Sequence, residues 1–197
     1  MGIDEDKRAT LRRFAAVGAA SPLAVVGDRD DDSEVREAIL GYLGATPGAH
    51  FSKIRDDLKL GTGETQHHLR RLQDRGAIES HRDGDYRRFF VAGRFSAFEQ
   101  VALGYLRRET PRGMIVELLE NPDATGSDLA NHLAVSRATI SATASELKGV
   151  GILEDADGYT VERPETLMTL LLRYADSFDD RVAGFAADAA TLLRYDP

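Results

Sequence analysis

An internal repeat constrains this chain more than any other feature. Displaced by 75 residues, one stretch of the sequence falls on another. Ile54 meets Leu129, Leu58 meets Leu133, Leu60 meets Val135, Leu72 meets Leu147, Gly76 meets Gly151, Ile78 meets Leu153 and Glu79 meets Glu154. The identities are few, but apolar residues and glycines recur at the same spacings, so one supersecondary unit is used twice. A chain of 197 residues has room for one large domain or two small ones. The repeat selects two.

The first unit reads as three helices and a hairpin. Val35, Ile39, Leu40 and Leu43 recur at helical spacing, with Ser33 as a candidate N-cap. Thr46-Pro47-Gly48 ends that helix. Phe51, Ile54 and Leu58 form one face of a short second helix, and Leu60-Gly61 a tight turn. Thr62 then caps a third helix running to Arg75, with Thr65, Leu69 and Leu72 inward and Gly76 as its stop. Beyond it the period changes from helical to alternating. Ala77 to His81 and Tyr86 to Val91 read as strands, joined at Arg82-Asp83-Gly84.

The second unit repeats the order. Met114 to Leu119 is its first helix, closed by Asn121-Pro122, and Asp128 to Leu133 its second. Ala134-Val135 is the turn, and Ser136 caps a third helix with Ile140, Ala144 and Leu147 inward and Gly151 at its end. Ile152 to Glu154 and Tyr159 to Val161, joined at Asp157-Gly158, make a second hairpin. Helix, helix, helix and ribbon is the order of a winged helix-turn-helix. The expected fold is mainly α with small β-wings: two such domains in tandem plus C-terminal helices. The boundaries are 1–32 for an N-terminal helix and acidic linker, 33–94 for the first domain, 95–109 for a connector helix, 110–163 for the second domain and 164–197 for the C-terminal helices.

Two flanking segments need separate treatment. The apolar stretch Phe14 to Val26 follows Arg12-Arg13 but is too short for the ~20 residues that span a bilayer. Pro22 interrupts it, and Leu11 fits an export motif poorly. An amphipathic helix from Lys7 to Ala20, packed on the body or on a second subunit, is the expectation, with no membrane partner. At the other end Leu167, Leu170, Leu171, Tyr174, Phe178, Val182, Phe185, Ala189, Leu192 and Leu193 form a long apolar stripe. That stripe forms a homodimer interface or packs back on the second unit, and the two uses can coexist.

Charge separates the units. The chain carries a net charge of -8, yet residues 50–94 hold ten Lys/Arg against seven Asp/Glu. Residues 110–163 hold four against nine. A basic island in an acidic chain points to an anionic partner for the first unit. Arginines number 21 against 4 lysines, and Asp exceeds Glu by 20 to 13, a balance that resembles proteins of a molar-salt cytoplasm.

The sequence carries no Cys, which excludes disulfides, thiolate metal sites and thiol nucleophiles. His67-His68 are neighbours in a helix and do not make the i, i+4 pair of a metal site. Gly61-Thr62-Gly63 lacks the rest of any phosphate-binding loop, and no nucleophile elbow is present. Neither a cofactor nor an enzymatic activity is expected.

Both units resemble archaeal winged-helix regulators of the broad MarR/ArsR-like type, and the whole is similar to haloarchaeal regulators with two such domains. The carriers are His50-Phe51-Ser52-Lys53-Ile54 leading into Leu58 to Leu69, then Asp128-Leu129-Ala130 followed by Val135-Ser136-Arg137-Ala138-Thr139-Ile140-Ser141. The resemblance implies that the third helix enters the major groove and that the wing meets the backbone or minor groove. Lys53, Thr62, Gln66, His67, Arg70 and Arg71, with Arg82, Arg87 and Arg88 of the wing, are the expected contacts to double-stranded DNA. Arg137, Thr139 and Ser141 are their counterparts in the second unit, where Asp155 and Asp157 would repel phosphate. The implied function is a cytoplasmic, homodimeric transcription regulator. The alternative is a protein-interaction scaffold, in which the basic face is buried or neutralised by Asp56, Asp57, Asp74 and Asp83.

Overall fold

The structure is a computed structural model in which residues 2–19, 31–154 and 158–192 are described. The chain divides into two compact units, Met1–Gln100 and Val101–Pro197.

Unit 1 runs α1 (Gly2–Ala19), α2 (Asp31–Ala45), β1 (Ala49–His50), α3 (Phe51–Asp57), α4 (Thr62–Asp74), β2 (Ile78–Asp83) and β3 (Tyr86–Val91). The strands form one antiparallel sheet in the order β1-β3-β2. α5 (Ala97–Leu106) crosses the division.

Val35, Ile39 and Leu43 lie one turn apart on α2 and are buried with Tyr42. Ser33 is not the N-cap: the helix begins at Asp31, and the Ser33 hydroxyl donates to Glu37 one turn on at 3.4 Å. Gly48, at φ +78°, reverses the chain and lays β1 beside β3. Two residues are too few to show strand alternation, which is why this third strand is not visible in the sequence.

The turn from α3 to α4 is built from the backbone. Lys59 is left-handed at φ +55°, the Leu60 N–H donates to the Arg55 carbonyl at 2.9 Å, and the Lys59 N–H donates to the Asp56 carbonyl at 3.2 Å. These close the end of α3 in the manner of a Schellman cap. α4 then starts from Gly61, not from Thr62, which is its first helical residue. Gly61 has no side chain to cap with, so the Glu64 carboxylate accepts its N–H at 3.1 Å and the Thr65 hydroxyl donates to its carbonyl at 2.9 Å. Thr65, His68, Leu69 and Leu72 face the core. Each leucine buried there contributes about 1.5–3 kcal/mol. The hairpin turn is Gly84-Asp85, two residues with Asp83 opposite Tyr86, so it lies slightly later than Arg82-Asp83-Gly84. Gly84 supplies the positive φ, +56°, that such a turn needs.

α1 packs on α2. Leu11 is buried in the same core as Ile39, Ile54 and Leu69, and the Phe14 ring meets Tyr42 edge-on at 5.2 Å. Pro22 and the segment 20–30 lie outside the described residues. No helix among the described residues is long and apolar enough to cross a membrane.

Unit 2 continues with α6 (Glu109–Glu120), α7 (Gly126–His132), α8 (Arg137–Gly149), α9 (Pro164–Arg173), a 3-10 turn (Ala175–Ser177) and α10 (Asp180–Leu192). The helix-turn-helix of unit 1 recurs here bond for bond, 75 residues on. Ala134 is left-handed at φ +52°, and the Val135 N–H donates to the Ala130 carbonyl at 3.1 Å. Ser136 has the same extended backbone as Gly61, ψ 153° in both. Gly76 and Gly151 take φ +67° and +71°, and the following N–H of Ala77 or Ile152 returns to Leu72 or Leu147 at 2.9 Å. The hairpins differ. Six residue pairs join β2 and β3, whereas the described residues of the second hairpin form one bridge, Leu153 with Val161; Asp155 and Asp157 of the expected second wing lie outside the described residues.

The C-terminal stripe is covered by the chain itself. Leu167, Leu170, Leu171, Tyr174, Val182, Phe185 and Ala189 are all buried. Phe178 lies beneath the Arg107 guanidinium, 4.3 Å from its ring centre. The side chain of Leu192, and Leu193, lie outside the described residues.

Candidate nucleic-acid interface

α4 presents two faces. Burying Thr65, His68, Leu69 and Leu72 turns Thr62, Gln66, His67 and Arg70 outward, and these four are exposed. Arg71 lies at the border and is half-buried. Arg70 forms no hydrogen bond or ion pair with the described residues. Its guanidinium and the Gln66 amide are the two side chains of this face that can make paired hydrogen bonds to a base edge. His67 stands against the buried His68, their ring centres 5.2 Å apart.

The hairpin adds a second group. Arg82 and Arg87 are exposed and directly opposite each other across β2 and β3. Arg87 donates to the Ser80 hydroxyl at 2.8 Å and lies over the Phe89 ring, whereas Arg82 makes no ion pair with the described residues. Like charges facing across a ladder destabilise it. A polyanion laid over the hairpin removes that cost.

Arg88 does not belong to this surface. It is 2% exposed, its Nε donates to Asp83 and its Nη1 to the Gly48 carbonyl at 3.1 Å. The physical reason is β1, which pairs with Phe89 and Arg88 and encloses them in the sheet, while Arg87 lies beyond its end. A sequence reading without β1 leaves β3 open on that side. The same omission hides Tyr86, which is 49% exposed, with its ring centre 5.0 Å from His50 and 5.5 Å from the Arg88 guanidinium.

His50 caps α3, its Nδ1 accepting the Lys53 N–H at 3.3 Å. Burial, then the charges of Arg88 and Lys53, hold its imidazole below the usual histidine pKa. Lys53 is exposed but engaged, 2.8 Å from Asp57, which also accepts the Tyr42 hydroxyl at 2.8 Å. Asp56 takes Arg55 at 2.7 Å. Among the described residues Asp57, Asp56 and Asp83 thus meet Lys53, Arg55 and Arg88, while Arg70 and Arg82 form no ion pair, and neither do the exposed Asp74 and Asp85.

In unit 2, Arg137, Thr139 and Ser141 are exposed on α8, at the positions matching Thr62, Glu64 and Gln66. Thr139 is part of the helix cap, its hydroxyl 2.8 Å from that of Ser136. Ser145 stands where unit 1 has Arg70, and Glu146 where it has Arg71, so α8 lacks the cations of α4. Among the described residues no group of three His, Asp or Glu is placed to hold a metal ion.

No curated protein and no solved structure matches the chain. A family model described as an N-terminal HTH domain matches residues 33–103. That segment holds α2, the α3–α4 pair and the β2–β3 hairpin, the arrangement of a winged helix-turn-helix, and the match supports a helix-turn-helix DNA-binding protein of haloarchaeal type.

Proposed function

We propose that this chain is a sequence-specific transcription regulator of the cytoplasm, with α4 reading the major groove and the β2–β3 hairpin on the backbone or minor groove. The observation that carries the reading is the distribution of unpaired cations. Among the described residues Arg70 on α4 and Arg82 on the hairpin are exposed and form no ion pair, while Asp57, Asp56 and Asp83 are held by Lys53, Arg55 and Arg88. A scaffold needs the opposite arrangement. Gln66 and Arg70 are the base readers, and Arg82 and Arg87 the phosphate contacts. Unit 2 is a second winged helix-turn-helix that keeps the turn geometry without the charge, suited to packing or to a protein partner. A homodimer suits a palindromic operator. The acidic, arginine-rich composition fits work in molar salt, where counterion release contributes little and base contacts carry the affinity.

Gln66→Ala and Arg70→Ala test the assignment. Each is expected to lower discrimination against a wrong base by about 1–3 kcal/mol, measured by fluorescence anisotropy on matched and single-substituted duplexes. Unchanged discrimination in both variants removes α4 as the reader.

A further inference from the structure

α1 lies outside the segment matched by the family model, yet its second turn is fastened to the start of α4. Lys7 Nζ donates to both carboxylate oxygens of Glu64, at 3.0 and 2.9 Å. Its neighbour Asp6 pairs at 3.3 Å with Lys59, the left-handed residue of the turn into α4. Leu11, one turn on from Lys7, is buried in the core of unit 1 and fixes where these pairs fall.

Glu64 is under two opposed demands. It is the third residue of α4, and its carboxylate holds the Gly61 N–H at a helix start whose N-cap has no side chain. The N-terminal end of a reading helix is also the end that approaches base edges and phosphates. A bare carboxylate there repels the duplex. Burial alone would push the Glu64 carboxyl up, but the Lys7 and Gly61 hydrogen bonds outweigh it and keep it ionised below the usual carboxylate range.

We infer that Lys7 is the counter-charge that lets Glu64 cap the reading helix without repelling DNA, so that α1 is a positioning part of the reading apparatus. This rests on the reading of α4 as the groove helix.

A double-mutant cycle in the full chain tests it. The wild-type chain, Lys7→Met, Glu64→Gln and the double variant are titrated by anisotropy against a duplex of the DNA upstream of the chain's own coding sequence, with thermal melts of each. Gln still accepts the Gly61 N–H but carries no charge. Lys7→Met alone is expected to weaken binding about five-fold, the contribution of one net charge at a duplex at ordinary salt. In the Glu64→Gln background the same change is expected to have no effect. Equal weakening in both backgrounds shows that Lys7 touches DNA itself, and overturns the inference. So does the absence of weakening in either, or a loss that tracks a lowered melting temperature and that Glu64→Gln fails to rescue. If the wild-type chain binds no duplex, the groove reading of α4 fails and the inference falls with it. A failed cycle with wild-type binding intact leaves that reading standing.

Discussion

Three arginines of the hairpin stand in two different settings. Arg82 and Arg87 face each other in solvent, and Arg88, one position on, is sealed in the sheet against Asp83. Replacing Arg82 by Ala is expected to reduce the slope of log affinity against log salt by about 0.9, the value of one phosphate contact. The fold should be unaffected, and a salt titration on one duplex measures the slope. Arg88→Met takes the guanidinium away from the buried Asp83 carboxylate. The expected cost is about 3–5 kcal/mol in denaturant unfolding, with the double change Arg88→Met, Asp83→Leu recovering most of it. His50 responds to pH instead. Its folded-state pKa lies below the ordinary value of 6.5, so its contribution to stability is complete above that pH and is lost as pH falls from 6.5 through the folded value. His50→Asn, which keeps a capping oxygen, is expected to flatten the fall in melting temperature over that window. Identical pH profiles for the two proteins exclude His50 as the cause.

At the scale of elements the helix-turn-helix is set by backbone geometry more than by residue identity. Lys59 and Ala134 are left-handed at equivalent places, and neither is the glycine that such a position favours. Ala134→Gly is accordingly expected to stabilise unit 2 by about 1 kcal/mol, read as a raised melting temperature, since Ala134 is exposed and its side chain serves no packing. The helices were legible in the sequence because Val35, Ile39 and Leu43, or Ile140, Ala144 and Leu147, repeat at the helical period and are buried together. Caps were less legible. Thr62 is a better capping residue than Gly61, yet Glu64 reaches back to the Gly61 N–H and makes Gly61 the boundary. β1 was not legible at all, because two residues carry no period, and Arg88 and Tyr86 were misplaced or missed with it. Gln66, His67 and Arg70 needed only the phase of α4, which Leu69 and Leu72 set. The Lys7–Glu64 pair joins residues 57 apart in sequence and could not be seen from local spacing.

Over the whole molecule, the sign of charge and the fold are distributed independently. The turn geometry at 50–77 is repeated at 125–152, but the cations of α4 have no counterparts on α8. A net charge of -8 does not oppose DNA binding by a local surface where Arg70 and Arg82 are exposed and form no ion pair with the described residues. The proposed function puts sequence recognition in unit 1. Its most direct test is fluorescence anisotropy of the full chain on the DNA upstream of its own coding sequence and on a scrambled duplex of equal length, in concentrated potassium chloride. Clear preference for the upstream DNA is expected, persisting as salt rises because base contacts carry it. Equal binding to both duplexes, or binding to neither, would contradict it.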